Sequence, residues 1–433
     1  MTLSICTFII TIICMICCIV YKPSLRFKNI SFQTFWVVSL IGALVCICSF
    51  QIDLSSLWTN LTGGKMNPIK ILILFISLSM ISISLDELNF FNFLSTKALI
   101  KAKGNQYKIF FTIYFLVSIL TIFTSNDIVI LTFTPFIISF SKKAKINPLP
   151  YLICEFVNAN TYSMLLNIGN PTNIYLASTA DISFIYYLSK MYLPTIFAGI
   201  STLIVILLIF RKNLSKKIEN IDIKQEELNN KCLVIINLII LGITTILLVI
   251  SNYINLEMWI ICLCSLICLT IVLICYSFIN KNCSYLFKTY KRLPYNLIPF
   301  ILSMFILVLS LKENGVINYL VNVLDKLSVN KVSTVFTYTI SSTLFDNLIN
   351  NIPMSVLYSS ILESKAEICV FSTIIGSNIG AYLTPIGALA GIMWMSILRK
   401  YDVDFSFISF VKYGLILVPV SLIFSTLGIL ILC

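Results

Sequence analysis

Histidine is absent from this 433-residue chain, and acidic side chains number only 18. Imidazole is the one side chain whose ordinary titration falls between pH 5 and 8, so any proton carried here must ride on a carboxylate. Charged residues make up 11% of the chain against 58% hydrophobic, which is too little polar surface to cover a soluble globule. No Gly-rich phosphate loop is present, so a nucleotide site is not expected, and neither is an enzyme, a cofactor or a metal. The first twenty residues lack a basic n-region and a small-residue cleavage site and read as a first span rather than a signal peptide. Fifteen cysteines are present, but they are scattered through apolar runs at spacings that fit no zinc or disulfide framework, where Cys acts as a small hydrophobe.

What remains is hydrophobic length. Runs that suffice to span a bilayer lie at 3–20, 34–50, 69–85, 188–210, 233–250, 258–279, 297–311 and 411–432, so the fold expected is an all-α polytopic membrane protein. Four further segments, 109–140, 151–177, 332–362 and 368–398, are apolar but interrupted by polar centres. The first and third are too long for one crossing, and a re-entrant hairpin that enters and leaves by one face accounts for each. The net charge of +12 sits in short loops, which marks membrane orientation and not nucleic-acid binding. With the amino terminus outside and neither hairpin crossing, the loops 21–33, 97–108, 141–150, 211–231, 280–294 and 399–412 face the cytoplasm and hold 23 of the 30 basic residues.

Lys97, Lys101, Lys103 and Lys108 precede the first hairpin and Lys142, Lys143 and Lys145 follow it, so it opens inside. The flanks of the second carry little net positive charge and open outside. Hairpins entering from opposite faces predict an inverted repeat of about five elements per half, with two re-entrant hairpins and two broken transmembrane helices. The segment from Ser84 to Leu94 resembles that from Ser310 to Leu320, and the offsets Asn126 to Asn347 (221) and Pro171 to Pro385 (214) preserve the order. The expected units are a first transmembrane half, 1–210, a charged cytoplasmic linker, 211–232, and a second half, 233–433.

An irregular polar backbone at membrane depth is tolerated only inside protein or beside water, so the breaks mark the candidate site. They are Thr124-Ser125-Asn126-Asp127, Gly169-Asn170-Pro171-Thr172-Asn173, Asp346-Asn347 and Gly376-Ser377-Asn378. Ser125, Asn126, Gly169, Asn170, Thr172, Asn173, Asn347, Asn378 and Thr384 are the candidate solute-binding residues, because neutral donors and acceptors replace a hydration shell. Asp127 and Asp346 are the candidate coupling carboxylates, with capping of their own helices as the alternative. Glu155 fits coupling and interfacial placement equally, while Asp86, Glu87 and Glu313 read as solvated helix ends. No Lys or Arg occupies a polar centre, which suits a neutral polyhydroxyl solute or a small cation exchanged for protons; anion binding at helix ends stays open.

These motifs, with Asn158-Ala159-Asn160-Thr161, Asn350-Asn351-Ile352-Pro353 and Gly376 through Gly387, resemble the ion transporter superfamily. The similarity is greatest to its arsenite-efflux permeases and the related sodium/proton antiporters and citrate or anion permeases. Sodium-coupled carboxylate members carry Ser-Asn-Thr at each hairpin tip, whereas this chain has Ser125-Asn126-Asp127 and Phe345-Asp346-Asn347. The resemblance implies scaffold and transport regions, an elevator-type movement, often a homodimer, and proton-coupled export of arsenite or antimonite across the cell membrane. It leaves room for a cytoplasmic ATPase subunit on the basic face, and for a sodium- or proton-coupled carboxylate or inorganic-anion symporter.

Overall fold

The computed structural model describes the chain except for residues 23, 28–29, 64–66, 101–104, 217, 219–225, 252–253, 255 and 364. The acidic centre of the expected linker, Glu219 and Asp222, lies outside the described residues. Among those described, twenty α-helices fall into two runs of ten. The first run is α1 (Thr2–Tyr21), α2 (Thr34–Cys48), α3 (Leu54–Thr62), α4 (Pro68–Glu87), α5 (Phe90–Ile100), α6 (Gln106–Phe123), α7 (Asn126–Lys143), α8 (Leu149–Tyr162), α9 (Pro171–Thr179) and α10 (Phe184–Leu214). The second is α11 (Lys231–Ile250), α12 (Met258–Ile279), α13 (Ser284–Lys291), α14 (Leu297–Glu313), α15 (Val316–Leu327), α16 (Lys331–Ile349), α17 (Asn351–Ile361), α18 (Glu367–Gly380), α19 (Leu389–Lys400) and α20 (Phe407–Leu432).

The all-α expectation needs one correction. Strands β1 (Ser24–Phe27) and β2 (Ile30–Gln33) pair antiparallel, Leu25 opposite Phe32 and Phe27 opposite Ile30. Apolar and polar residues alternate in this stretch with the period of a strand, a signal too short to register beside the long apolar runs. The short helices α3, α5, α13 and α15 were likewise not anticipated. The joints before two of them bend through left-handed residues, Asn89 (φ 64°) ahead of α5 and Gly315 (φ 76°) ahead of α15.

Local chemistry sets the helix starts. Asn67 and Asn170 accept from the amides of Lys70 and Thr172, each with a proline at the first helical position, and Asn330 forms a reciprocal capping box with Ser333, satisfying amides that the first turn leaves free. Six helices, α4, α6, α10, α11, α12 and α20, are long and apolar enough to cross a membrane, or seven if α14 and α15, bent by 78°, count as one. On α10 and α11 large side chains stand exposed one turn apart, Ile196, Ile200, Ile204 and Leu208 on one and Ile235, Ile239, Ile243 and Ile246 on the other. Such faces are stable only against lipid or another apolar surface. The chain is a multi-pass membrane protein.

Helices α8 and α18 behave oppositely, with residues 150–161 and 369–380 buried on every side. Around them the partners correspond in order. Helix α6 packs on α8 as α16 does on α18, α7 packs on α19 as α17 does on α9, and α4 packs on α12 as α14 does on α2, while α10 and α20 pack on each other. Each half therefore lends elements to the other.

Candidate functional site

At the turn between α6 and α7, Thr124 and Ser125 are extended. Ser125 takes the N-cap position of α7 but makes no capping bond, and its buried Oγ has no partner. The Asn126 amide donates to Asn160 Oδ1 on α8 at 3.1 Å, while Asn126 Oδ1 is buried and unpartnered. Asp127, half-buried, joins Ser125 in lining a cavity of about 200 Å³ whose other walls include Phe75, Ser79, Arg292, Leu389 and Met393. Buried oxygens without donors are costly, and their concentration beside a cavity is what a hydroxylated solute would relieve.

The second turn falls elsewhere than expected. Asp346 and Asn347 lie in the last turn of α16, and the break comes at Asn350 (φ 76°, ψ 154°), three residues ahead of Pro353. The sequence drew attention to the acidic pair, but a helix can carry Asp-Asn to its end, and the backbone leaves the helix only at Asn350, where φ is positive. Helices α7 and α17 start at Asn126 and Asn351, an offset of 351 − 126 = 225, so the counterpart of Asn126 is Asn351 and not Asn347. Asp127 opens a helix and Asp346 closes one, so the two carboxylates are not equivalent.

Asn347 is saturated. Its Oδ1 accepts from the amide and hydroxyl of Thr384 at 3.0 and 2.7 Å, and its Nδ2 donates to the carbonyls of Thr343 and Gly380 at 2.9 and 3.0 Å. Asn350 Nδ2 donates to the Ile386 carbonyl and the Asn351 amide to that of Gly387. The turn is thereby sewn to residues 384–387. Beside it the Asp346 carboxylate is fully buried and neither oxygen has a partner.

The break between α8 and α9 lies where the sequence placed it, with a 3-10 turn at Asn167–Gly169 and Asn170 capping α9. Gly169 is required there, because a Cβ would sit 2.5 Å from the Ser163 carbonyl oxygen. The other break is later than expected. Helix α18 runs through Gly376-Ser377-Asn378 to Gly380, and the chain unwinds over 381–388, where Thr384-Pro385 interrupts the ladder. Asn378 spans the halves. Its Oδ1 accepts from Ser163 Oγ and Asn170 Nδ2 at 2.9 and 3.0 Å, and its Nδ2 donates to Asn173 Oδ1 at 2.6 Å and the Ile374 carbonyl at 2.8 Å. Thr172 contributes its amide to Asn170 Oδ1 at 3.2 Å.

The candidate residues thus form three groups strung along α8 and α18. Ser125 and Asp127 line the cavity, with Asn126 between them in the chain. Gly169, Asn170, Thr172, Asn173 and Asn378 form the central knot, and Asp346, Asn347 and Thr384 the third group. Asn160 and Asn350, quoted among the motifs but not as solute-binding residues, and Ser163, which no motif included, complete these contacts. Arg292 was missed because it belongs to a loop in sequence. It pairs with Asp86 and Glu87 at 2.6 and 2.7 Å, so these acids are not merely solvated helix ends.

Comparison with known proteins decides the family. A family model described as citrate transporter, CitMHS, matches residues 6–369. The chain belongs to the citrate transporter family. Relatives match it over most of its length. It is 25% identical over 420 residues to a Bacillus subtilis (strain 168) protein provisionally named an arsenical pump membrane protein, covering 90% of this chain and 92% of that one. An Escherichia coli arsenical pump membrane protein is 24% identical over 410 residues, covering 91% of each. In three dimensions the chain is similar to the crystal structure of the Alcanivorax borkumensis YdaH transporter, with a TM-score of 0.57, 12% identity and coverage of 99% and 98%. This member of the citrate transporter family is a membrane transporter.

A second cavity, of about 380 Å³, lies in this transporter among α3, α9, α14 and α17, lined by Asn60, Tyr175, Ser178, Ser359 and Glu363. Its helices α14, α17 and α9 are the counterparts of α4, α7 and α19 around the first. Lys312 and Glu363, both on its lining, form an ion pair.

Proposed function

We propose that the protein is a proton-coupled secondary transporter that exports arsenite or antimonite as the neutral trihydroxide. The observation that carries this reading is the unpartnered Ser125 Oγ on the wall of a cavity that Asp127 also lines, with the unpartnered Asn126 Oδ1 on the residue between them. A trihydroxide offers three O–H donors to such oxygens, and the full-length relatives carry arsenical pump names. In this reading Ser125 and Asn126 touch the solute first. Gly169, Asn170, Thr172, Asn173, Asn347, Asn378 and Thr384 close on it as the two halves move, and Asp127 and Asp346 exchange the coupling proton. The corresponding helix pairs and cavities support an inverted repeat whose hairpins, α6–α7 and α16–α17, enter from opposite faces, with the chain in the cell membrane and its amino terminus outside. A homodimer and a cytoplasmic ATPase subunit belong to the same reading.

The test is arsenite accumulation in everted membrane vesicles energised by a proton gradient. Accumulation should collapse on adding an uncoupler and should be lost in Asp127→Asn with the protein still folded and inserted. The second reading, carboxylate symport, is favoured by one observation, the presence of Arg292 on the cavity wall. Saturable, sodium-dependent uptake of citrate or succinate, with no effect of a proton gradient on arsenite, would replace the first reading with the second.

A further inference from the structure

Glu155 takes no part in the site described above, yet it is fully buried on α8, where an ionised carboxylate is costly unless it is surrounded by donors. Two groups meet it. Trp394 Nε1 on α19 donates to Oε2 at 3.2 Å, and Thr134 Oγ1 on α7 lies 3.0 Å from Oε1. Thr134 Oγ1 also lies 2.6 Å from the Ile130 carbonyl. A hydroxyl has one proton. The contact to the Ile130 carbonyl is the nearer and favours the proton there, which leaves Thr134 Oγ1 to accept from a protonated Oε1; turned toward Glu155, the same hydroxyl donates to an ionised Oε1. The carboxyl therefore finds a partner for both oxygens in either protonation state, as a group that takes up and releases a proton requires.

We propose that Glu155 is a proton-carrying residue of the transport cycle, protonated in this conformation and deprotonated when α7 and α19 part around it. The inference rests on the proton-coupled reading of the preceding subsection. In the step, the Oε1–H bond breaks and its proton passes to water admitted between α7 and α19. The charge left on the carboxylate is met by Trp394 Nε1 and by the Thr134 hydroxyl, which turns away from Ile130. That turn alters α7 at its weakest point, since Pro135 already leaves the Leu131 carbonyl without a ladder donor. Two helical turns earlier on α7 stands Asp127. On the other side Trp394 follows Met393, which lines the same cavity, and is held among Phe156, Phe405 and Phe410 with ring centroids 5.2 to 5.7 Å away. The protonation state of Glu155 is therefore legible to both cavity walls.

The titratable neighbour of Glu155 is the Cys154 thiol on its own helix. The charged residues of the helices packed around it are Lys108 on α6, Asp127, Lys142 and Lys143 on α7, and Lys190, Arg211 and Lys212 on α10. Beyond these are Glu367 on α18, Arg399 and Lys400 on α19 and Lys412 on α20; among the described residues none forms an ion pair with it.

The experiment uses the full chain in liposomes. Infrared spectroscopy should show a protonated carboxyl stretch near neutral pH that disappears in Glu155→Gln and moves in Thr134→Val. Glu155→Gln, which keeps one donor and one acceptor, should retain arsenite counterflow and lose proton-driven net transport. Thr134→Val should displace the pH profile while leaving arsenite affinity in place. Absence of the carboxyl band, or a Glu155→Gln protein with wild-type proton coupling, overturns the proposal. Wild-type liposomes that move no protons with arsenite instead overturn the functional reading itself.

Discussion

At the turn between α6 and α7, two buried oxygens, Ser125 Oγ and Asn126 Oδ1, have no partner, and Ser125 lines a cavity. At the corresponding turn between α16 and α17, Asn347 makes four hydrogen bonds and Asn350 is tied to the Ile386 carbonyl. One turn leaves its acceptors unsatisfied, and the other is tied by hydrogen bonds to the unwound 381–388 segment. Elements in the same order have been put to different use, so an abundance of polar side chains does not by itself locate a binding surface. Hydrogen-bond saturation does.

The same contrast appears where the broken helices cross their hairpins. Helices α6 and α16 are offset by 331 − 106 = 225 and α8 and α18 by 367 − 149 = 218, which makes Tyr114 and Asn158 the counterparts of Thr339 and Gly376. Asn158 Nδ2 bridges to the Tyr114 carbonyl at 3.2 Å. A Cβ on Gly376 would instead meet Ser342 Oγ at 1.9 Å and the Thr339 carbonyl oxygen at 2.3 Å. The second crossing is closed to any side chain. Gly376→Ala should therefore cost about 3 kcal/mol or more by overpacking. Asn158→Ala should cost less, about 1 kcal/mol, because the Tyr114 carbonyl keeps the Ser118 hydroxyl as a donor. Thermal unfolding of the purified variants in one detergent ranks them, and equal losses would show that the two crossings are equally close.

Much of this was legible in the sequence, and the failures have a common cause. Each of the eight apolar runs falls on one helix, but α1, α2 and α14 alone fall short of a span and α6, read as half of a hairpin, is long and apolar enough for one; Asn170-Pro171 marked a break that the structure keeps. The signals failed where a polar residue sits on a continuous helix, as Asp346, Asn347 and Asn378 do, because membrane helices carry polar side chains wherever a neighbour satisfies them. Asn350 looked like one of several asparagines, and only its positive φ marks it as the turn. Arg292 and Glu155 depend on partners more than 200 residues away, Asp86 with Glu87 and Trp394. Sequence spacing holds no trace of such contacts.

The anchoring part given to the second turn can be tested at Asn350. Its dihedral angles, φ 76° and ψ 154°, fall in a region that side chains other than glycine rarely enter. Asn350→Ala keeps that strain and leaves the Ile386 carbonyl without its donor, a loss of about 2 kcal/mol. Asn350→Gly loses the same bond but relieves the backbone, so it should fall between Ala and the native protein. At Ser125 there is no bond to lose, and Ser125→Ala should change stability by less than about 0.5 kcal/mol while weakening arsenite transport. A Ser125→Ala protein as unstable as Asn350→Ala would mean that the first turn is an anchor too.

The smallest difference expected lies at the far ends of α4 and α14. The end of α4 is held by Arg292 through Asp86 and Glu87, and the end of α14 by neutral groups, with the Asp53 amide and Ser56 hydroxyl donating to Glu313. Arg292 is two-fifths exposed, so solvent screening limits the pair, and Arg292→Gln should cost only about 1 kcal/mol even with the two acids left side by side. That loss should shrink as salt is added, because screening also weakens the repulsion between Asp86 and Glu87. Ser56→Ala, which removes a neutral donor, should show a smaller loss with a weaker response to salt. Transport adds a sharper criterion. With a neutral solute the guanidinium serves only to brace the wall, and Arg292→Gln leaves arsenite affinity close to native. With a carboxylate solute it is the cation on the cavity wall, and the same substitution abolishes uptake.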